Sequence, residues 1–214
     1  MLTLPVKQIL AGIFMGKSSF NPEQQEQSTS SKIVAGLERI TEAFKVLLWN
    51  KAKELGLSPI QIQILIFVTY HKSDLCNVSH LAKEFNVTKP TISDAVRVLE
   101  KKQLIIKDYS SADNRSYTIL LSEKGKNSVA QTEDFGEPIK QQIDAMDANA
   151  TESMFESLSK LIYKLNQTGI LTVQRTCYGC KFHKKVNDTD YCNLLEKELV
   201  QKDIRLDCPE FVER

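Results

Sequence analysis

Apolar residues recur at helical spacing from Ile33 through Leu37, Ile40, Phe44, Leu47 and Leu48. That period predicts a long amphipathic helix to about Glu54, closed by Gly56. The stretch before it, residues 17–31, is rich in Ser, Gln, Glu and Asn with Pro22, and reads as a flexible polar linker. Ser58 and Pro59 supply a cap and a first-turn residue for a second helix, which turns Ile60, Ile64, Phe67 and Val68 inward. Asn77 caps a short helix carrying Leu81, Ala82 and Phe85, and Asn86-Val87 makes a turn. Thr88 then caps a helix whose apolar face is Ile92, Ala95, Val96 and Leu99, with Pro90 tolerated in its first turn.

From Leu104 the period shortens to that of a strand. Leu104 to Tyr109 and Ser116 to Leu121, joined by the turn residues 110–114, predict a two-stranded hairpin. Ser122 starts a helix that runs to about Met146, with Gly136 and Pro138 kinking or interrupting it. Asn149 and Glu152 form a capping pair for a last helix, with Met154, Phe155, Leu158, Leu161, Ile162 and Leu165 on one stripe and Gly169 at its end. The fold class is therefore mainly α with a small β-hairpin wing.

Two short helices, a tight turn and a following hairpin make a winged helix-turn-helix. In such an arrangement the second helix of the pair presents its N-terminal side chains to base edges in the major groove. Here those side chains are Thr88, Lys89, Thr91, Ser93, Asp94 and Arg97. Asn114, Arg115 and Ser116 lie at the hairpin tip, where Arg115 suits a narrow minor groove. A helical domain with an ordinary polar surface would show much of the same pattern.

Charge adds little. The 214 residues carry 28 basic and 27 acidic side chains, a net charge of +1, which argues against binding polyanions by bulk field. Any contact with nucleic acid must come from a local surface, and residues 71–128 hold a small excess of basic over acidic residues. No stretch approaches the roughly 18 apolar residues that span a bilayer. Residues 9–15 are apolar but lack the flanks of a signal peptide, and read as a short docking helix. A cytoplasmic protein is expected.

The residues also resemble a family. Val78 to Phe85, Val87 to Ser93, Val98 to Lys102, the wing Asp113-Asn114-Arg115 and Leu121 to Gly125 follow one another as in the MarR family of bacterial regulators. The resemblance spans about residues 32–168. It implies a homodimer on a pseudo-palindromic operator, with a DNA-binding part at about 58–121 and dimerisation helices at about 32–55 and 122–168. Asp113 and Arg115 match the family's acidic-x-Arg wing motif. Many members bind a small-molecule effector between these two parts, which makes such an effector a further expected partner. Others sense oxidants through a cysteine in the first helix, which this chain lacks. The chain departs from the family at Gln103, where glycine is usual, and at Asp94, an acid on the recognition face. Asp94 suits either a cytosine amino group or a neighbouring base such as Arg97.

Residues 1–31 form an arm and linker ahead of this region, and residues 169–214 lie beyond it. Four of the five cysteines fall in the last 38 residues, as Cys177-x2-Cys180-x11-Cys192-x15-Cys208. Clustered cysteines without a disulfide framework elsewhere point to a metal module. Soft thiolates take zinc or an iron–sulfur cluster, and the spacing leaves both open. One close pair with isolated cysteines, the last followed by Pro209, resembles small high-potential-type cluster modules. His183 is a fifth candidate ligand. Zinc would make the tail a structural staple, whereas a cluster would make the protein a redox or iron sensor.

Cys76 reads as a buried small residue, and His71 and His80 as surface or capping residues. Trp49, Phe44 and Phe67 are expected in the core or the dimer interface, and Lys181, Lys184 and Lys185 on a solvated face. No nucleophile–base pair or phosphate-cradling loop is present, so an enzyme is not expected. The leading alternatives are an effector-responsive repressor with a structural zinc tail, and a redox accessory that uses the winged helix for protein docking.

Overall fold

The structure, a computed structural model, describes residues 18–110 and 116–214. The chain divides into two units, residues 1–49 and 50–214. A short helix α1 (Pro22–Gln27) precedes the long helix α2 (Thr29–Leu55), which runs through the unit boundary. α1 corrects the expected linker. The Asn21 side chain accepts a hydrogen bond from the Glu23 amide and Pro22 takes the first turn, a helix-start signal that outweighs the polar composition.

Helices α3 (Pro59–Tyr70), α4 (Val78–Glu84) and α5 (Lys89–Lys101) form the helical part of the winged helix. Their core is Ile62, Ile64, Leu65, Phe67, Leu81, Ile92, Val96 and Leu99, each at most 5% exposed. Burying one such side chain is worth about 1.5–3 kcal/mol. Strands β1 (Ile105–Asp108) and β2 (Thr118–Leu121) pair antiparallel, with Ile105 opposite Leu121 and Asp108 opposite Thr118. The Ile119 amide also donates to the Cys76 carbonyl at 2.7 Å, so the segment beyond α3 borders β2.

Gln103 turns the chain from α5 into β1 with φ 61°, the left-handed conformation that glycine usually fills. Its carbonyl accepts from the Ser122 hydroxyl at 2.7 Å, which ties this strained turn to the far end of the hairpin. Helix α6 (Glu123–Ala130) begins there, capped by the Ser122 hydroxyl accepting from the Gly125 amide at 3.0 Å. Gly125 is needed for space, because a Cβ there would lie 2.0 Å from the Leu104 carbonyl oxygen.

The helix expected to continue to Met146 is interrupted, but it already stops at Ala130, ahead of the Gly136 and Pro138 expected to break it. α7 (Glu137–Asp144) starts afresh from Gly136 as its cap, with Pro138 in the first turn. α8 (Ala148–Gln167) is capped by Asp147, which accepts from the Ala150 amide at 3.0 Å. Asp147 thus takes the capping role expected of Asn149, which lies inside the helix.

Beyond α8 the sequence predicted a cysteine-bearing module without assigned elements, and the chain there forms an antiparallel sheet of β3 (His183–Val186), β4 (Thr189–Cys192) and β5 (Lys197–Leu199). β3 and β4 join through Asn187 and Asp188, both at positive φ (50° and 63°), the geometry of a tight two-residue hairpin. No described helix is long and apolar enough to cross a membrane.

Candidate nucleic-acid interface and cysteine pocket

α5 is amphipathic by construction. Ile92, Ala95, Val96 and Leu99 face the core, while Thr88, Lys89, Thr91, Ser93, Asp94 and Arg97 are all exposed. Thr88 fixes the start of this face: its hydroxyl accepts from the Thr91 amide at 3.3 Å and lies 2.8 Å from the Thr91 hydroxyl. That cap leaves the helix N-terminus, with its partial positive charge, open to an anion. Asp94 accepts a hydrogen bond from the Arg97 guanidinium one turn on, so the two form an exposed pair in the free protein. At the wing, Ser116 is exposed, while Asn114 and Arg115 lie outside the described residues.

Cys177, Cys180, Cys192 and Cys208 line one narrow pocket of about 30 Å³. All four are free thiols, and Cys180 is buried. A turn of 3-10 helix at Cys177–Gly179 places the close pair, with the Cys180 amide donating to the Cys177 carbonyl at 3.0 Å. Cys192 ends β4, and the Cys208 amide donates to the Arg175 carbonyl at 3.1 Å. Burial pushes the Cys177 thiol pKa up, and the nearness of Cys208, Cys192 and Cys180 adds to it. Among the described residues, no three His, Cys, Asp or Glu side chains are grouped to hold a single metal ion. His183 also borders the pocket, but its Nε2 lies 2.9 Å from Asp190 Oδ1 and its Nδ1 faces the Arg214 guanidinium at 3.4 Å.

A set of charged residues that the sequence did not single out joins the segments flanking this sheet to α4. The Arg175 guanidinium binds both carboxylate oxygens of Glu84, at 2.7 and 2.9 Å, and both of Asp207, at 2.5 and 3.2 Å. His71 stacks on Phe67 with ring centroids 3.7 Å apart, and its Nε2 meets Asp207 Oδ2 at 2.8 Å. The Thr172 hydroxyl donates to the Lys83 carbonyl. Burial by itself would raise the Asp207 pKa, but its bonds with Arg175 and His71 outweigh that and hold it low. Arg175 is likewise desolvated, yet its two carboxylate partners leave its pKa raised.

His71 is the C-cap of α3, one of the two roles the sequence suggested, but both histidines are half-buried among partners the sequence did not reveal. Besides the partners of His71, His80 Nε2 is buried 3.5 Å from Glu84 Oε2, close enough for an ion pair but without hydrogen-bond geometry. Burial lowers the His80 pKa. No spacing rule could have found this cluster, because His71, Glu84, Arg175 and Asp207 are far apart in the sequence. Cys76 matches its expected role, 1% exposed with its thiol pushed up to about 11 by burial.

The sequence model of the MarR family matches residues 55–116. No curated protein matches the chain. Among solved structures, the S. aureus MepR–DNA complex is 26% identical, covers 64% of this chain and 99% of that one, and superposes with TM-score 0.54. S. aureus MepR in its DNA-binding conformation is 23% identical over 62% of this chain and 98% of that one, with TM-score 0.55. A MarR family transcriptional regulator from Rhodococcus sp. RHA1 shares the fold at 16% identity, over 63% of this chain and 96% of that one, with TM-score 0.52. Residues 55–116 are thus similar to the MarR family, the chain shares the winged-helix fold of these structures, and a cysteine-bearing sheet follows beyond the matched segment.

Proposed function

We propose that this protein is a sequence-specific DNA-binding transcription regulator that acts as a homodimer. The observation that carries the reading is the α5 face, where six short polar or basic side chains stand exposed at the capped start of a helix. The likeness to MepR bound to DNA supports it. Lys89 and Arg97 supply phosphate or base contacts, and Thr91 and Ser93 supply hydrogen bonds to backbone or base edges.

Exposed apolar surface supports the homodimer. Ile33, Val34, Ile40, Phe44, Val46 and Trp49 of α2 are all at least 40% exposed. α8 buries none of its six stripe residues, only Ser159. A helix with an apolar stripe of that length gains its stability by covering it.

The test is a gel shift with the DNA that flanks the protein's own gene, repeated over a range of salt. Arg97→Ala and Lys89→Ala should each weaken binding, and reduce the salt slope by about one for each phosphate no longer neutralised. Unchanged affinity and slope in both variants, or no shift with the parent protein, would overturn the proposal.

The cysteine module supplies the regulator's input, as a redox or iron sensor working through Cys177, Cys180, Cys192 and Cys208. Their lining one pocket supports taking the four thiols as one set. The competing reading is a zinc staple that holds the tail folded and carries no signal.

A further inference from the structure

We infer that Arg175 is a positioning residue: it carries a change at the four thiols to α4 and, through α4, to the exposed face of α5. The inference rests on reading the cysteine module as the regulator's input, and supplies the route that the input takes.

The route is short and continuous. Arg175 and Asp207 pair as an isolated parallel bridge, and each lies beside a pocket cysteine. Asp207 immediately precedes Cys208, and Arg175 comes two residues before Cys177. Backbone bonds tie the two segments together, with the Cys208 amide donating to the Arg175 carbonyl at 3.1 Å and the Cys177 amide to the Arg205 carbonyl at 3.2 Å. The Arg205 amide in turn donates to Cys177 Sγ at 3.3 Å. The backbone that shapes the pocket therefore also holds Arg175 and Asp207.

From there the guanidinium crosses to α4. Its partner Glu84 is the last residue of that helix, bound through both carboxylate oxygens. The Thr172 hydroxyl holds the Lys83 carbonyl one residue earlier, and Asp207 meets His71 at the end of α3. α4 seats α5 in its turn, since Leu81 and Ala82 of the one and Ile92 and Ala95 of the other are buried. The turn between them passes through Asn86, at φ 52°, two residues beyond Glu84. A displacement of Arg175 thus acts at the end of α4 that leads into the start of α5.

Two features suit the pocket to an input. Cys177, Cys192 and Cys208 are partly exposed, so a reagent can reach them. The pocket, at about 30 Å³, has room for about two waters, so a larger group on one of these thiols must displace the lining. A bidentate arginine–carboxylate pair tolerates little change of distance or angle. A shift of residues 175–177 or 205–208 therefore either moves Glu84 or breaks its pair.

The test compares the full-length protein, Arg175→Lys and Glu84→Gln, each before and after treatment with N-ethylmaleimide. This reagent adds a thiol across its carbon–carbon double bond, with no redox change. Mass spectrometry locates the adducts, and hydrogen exchange of residues 78–84 reports on α4. Adducts on the tail cysteines of the parent should raise exchange in α4 at least about threefold. Arg175→Lys keeps the charge but loses the fork, so its α4 should exchange faster from the start and respond little to labelling. Glu84→Gln should behave likewise, and stands in should the arginine variant not fold. Cys76→Ser should respond as the parent does. A labelled parent with unchanged exchange in α4 overturns the inference, as does an equal response in both joint variants. Tail thiols that take no adduct also overturn it, because an input out of reach carries no signal. The exchange readout needs no DNA, and a gel shift on the same samples separates the proposals. An α4 that responds while DNA affinity stays constant would sink the input reading alone, and a protein that binds no DNA would sink the DNA-binding reading alone.

Discussion

Replacing Arg175 with methionine should destabilise the residue 50–214 unit by about 2–3 kcal/mol, and the size follows from how unevenly its two partners are buried. The Arg175 and Glu84 side chains are only 12% and 18% exposed, whereas Asp207 is 48% exposed. Breaking a fully buried ion pair costs about 3–5 kcal/mol, because it strands a charge away from water. Breaking an exposed pair costs about 0–1 kcal/mol. The Glu84 arm lies nearer the first limit and the Asp207 arm nearer the second. Methionine keeps an unbranched stem beside the Phe67 ring, which the guanidinium overlies at 5.6 Å, so the packing there changes little. For a chain of this size the change lowers the melting temperature by about 4–12 °C. Thermal unfolding followed by circular dichroism reads it, and a double-mutant cycle with Glu84→Gln isolates the pair, with an expected coupling of about 1–2 kcal/mol. An Arg175→Met protein within about 0.5 kcal/mol of the parent would refute the reasoning.

Four further outcomes are expected. Gly125→Ala should cost more than about 2 kcal/mol in urea denaturation, since its Cβ meets the Leu104 backbone at 2.0 Å; a near-neutral result would mean that the hairpin junction is slack. Gln103→Gly should gain about 0.5 kcal/mol, because relief of the left-handed strain slightly exceeds the entropy glycine adds to the unfolded chain, while Gln103→Val should lose more than about 1 kcal/mol. The His80 pKa is lowered from 6.5 by burial, so the folded state favours its neutral form; its contribution is complete above about pH 6.5 and fades as pH falls toward the lower folded value. A urea midpoint that rises on acidification from about pH 7.5 to about pH 5.5, or a fall equally steep in His80→Asn, would contradict this. Sedimentation should find the protein dimeric at micromolar concentration, and Trp49→Glu on the exposed face of α2 should weaken the dimer; a monomeric parent protein would remove the dimer from the proposal.

The winged helix is legible in the sequence because each element there announces itself locally. Ser58, Asn77, Thr88 and Ser122 cap the helices assigned to them, and the change of period at Leu104 marks the hairpin. Elsewhere two local signals compete. Asn21-Pro22-Glu23 starts a helix inside a stretch whose composition suggests a linker, and Asp147 outcompetes Asn149 as a cap. The β3–β4 hairpin does carry a turn signal, Asn187-Asp188, but its strands are four residues each and too polar to show alternation. The six exposed side chains of α5 are legible from amphipathic spacing alone. The joint of Arg175 with Glu84, Asp207 and His71 is not, since only tertiary contact brings its members together.

The Asp94–Arg97 pair bears on discrimination. An arginine already held by a carboxylate is a poor captor of stray phosphate, because any anion must first compete with a tethered rival at high local concentration. A guanine–cytosine pair offers a different exchange, with acceptors on guanine for Arg97 and an amino donor on cytosine for Asp94, so both partners are satisfied together. On the proposed DNA-binding function, the acid on this face would work as a built-in competitor that lowers affinity for arbitrary DNA more than for the right site. Specificity there would come from what the helix declines to bind.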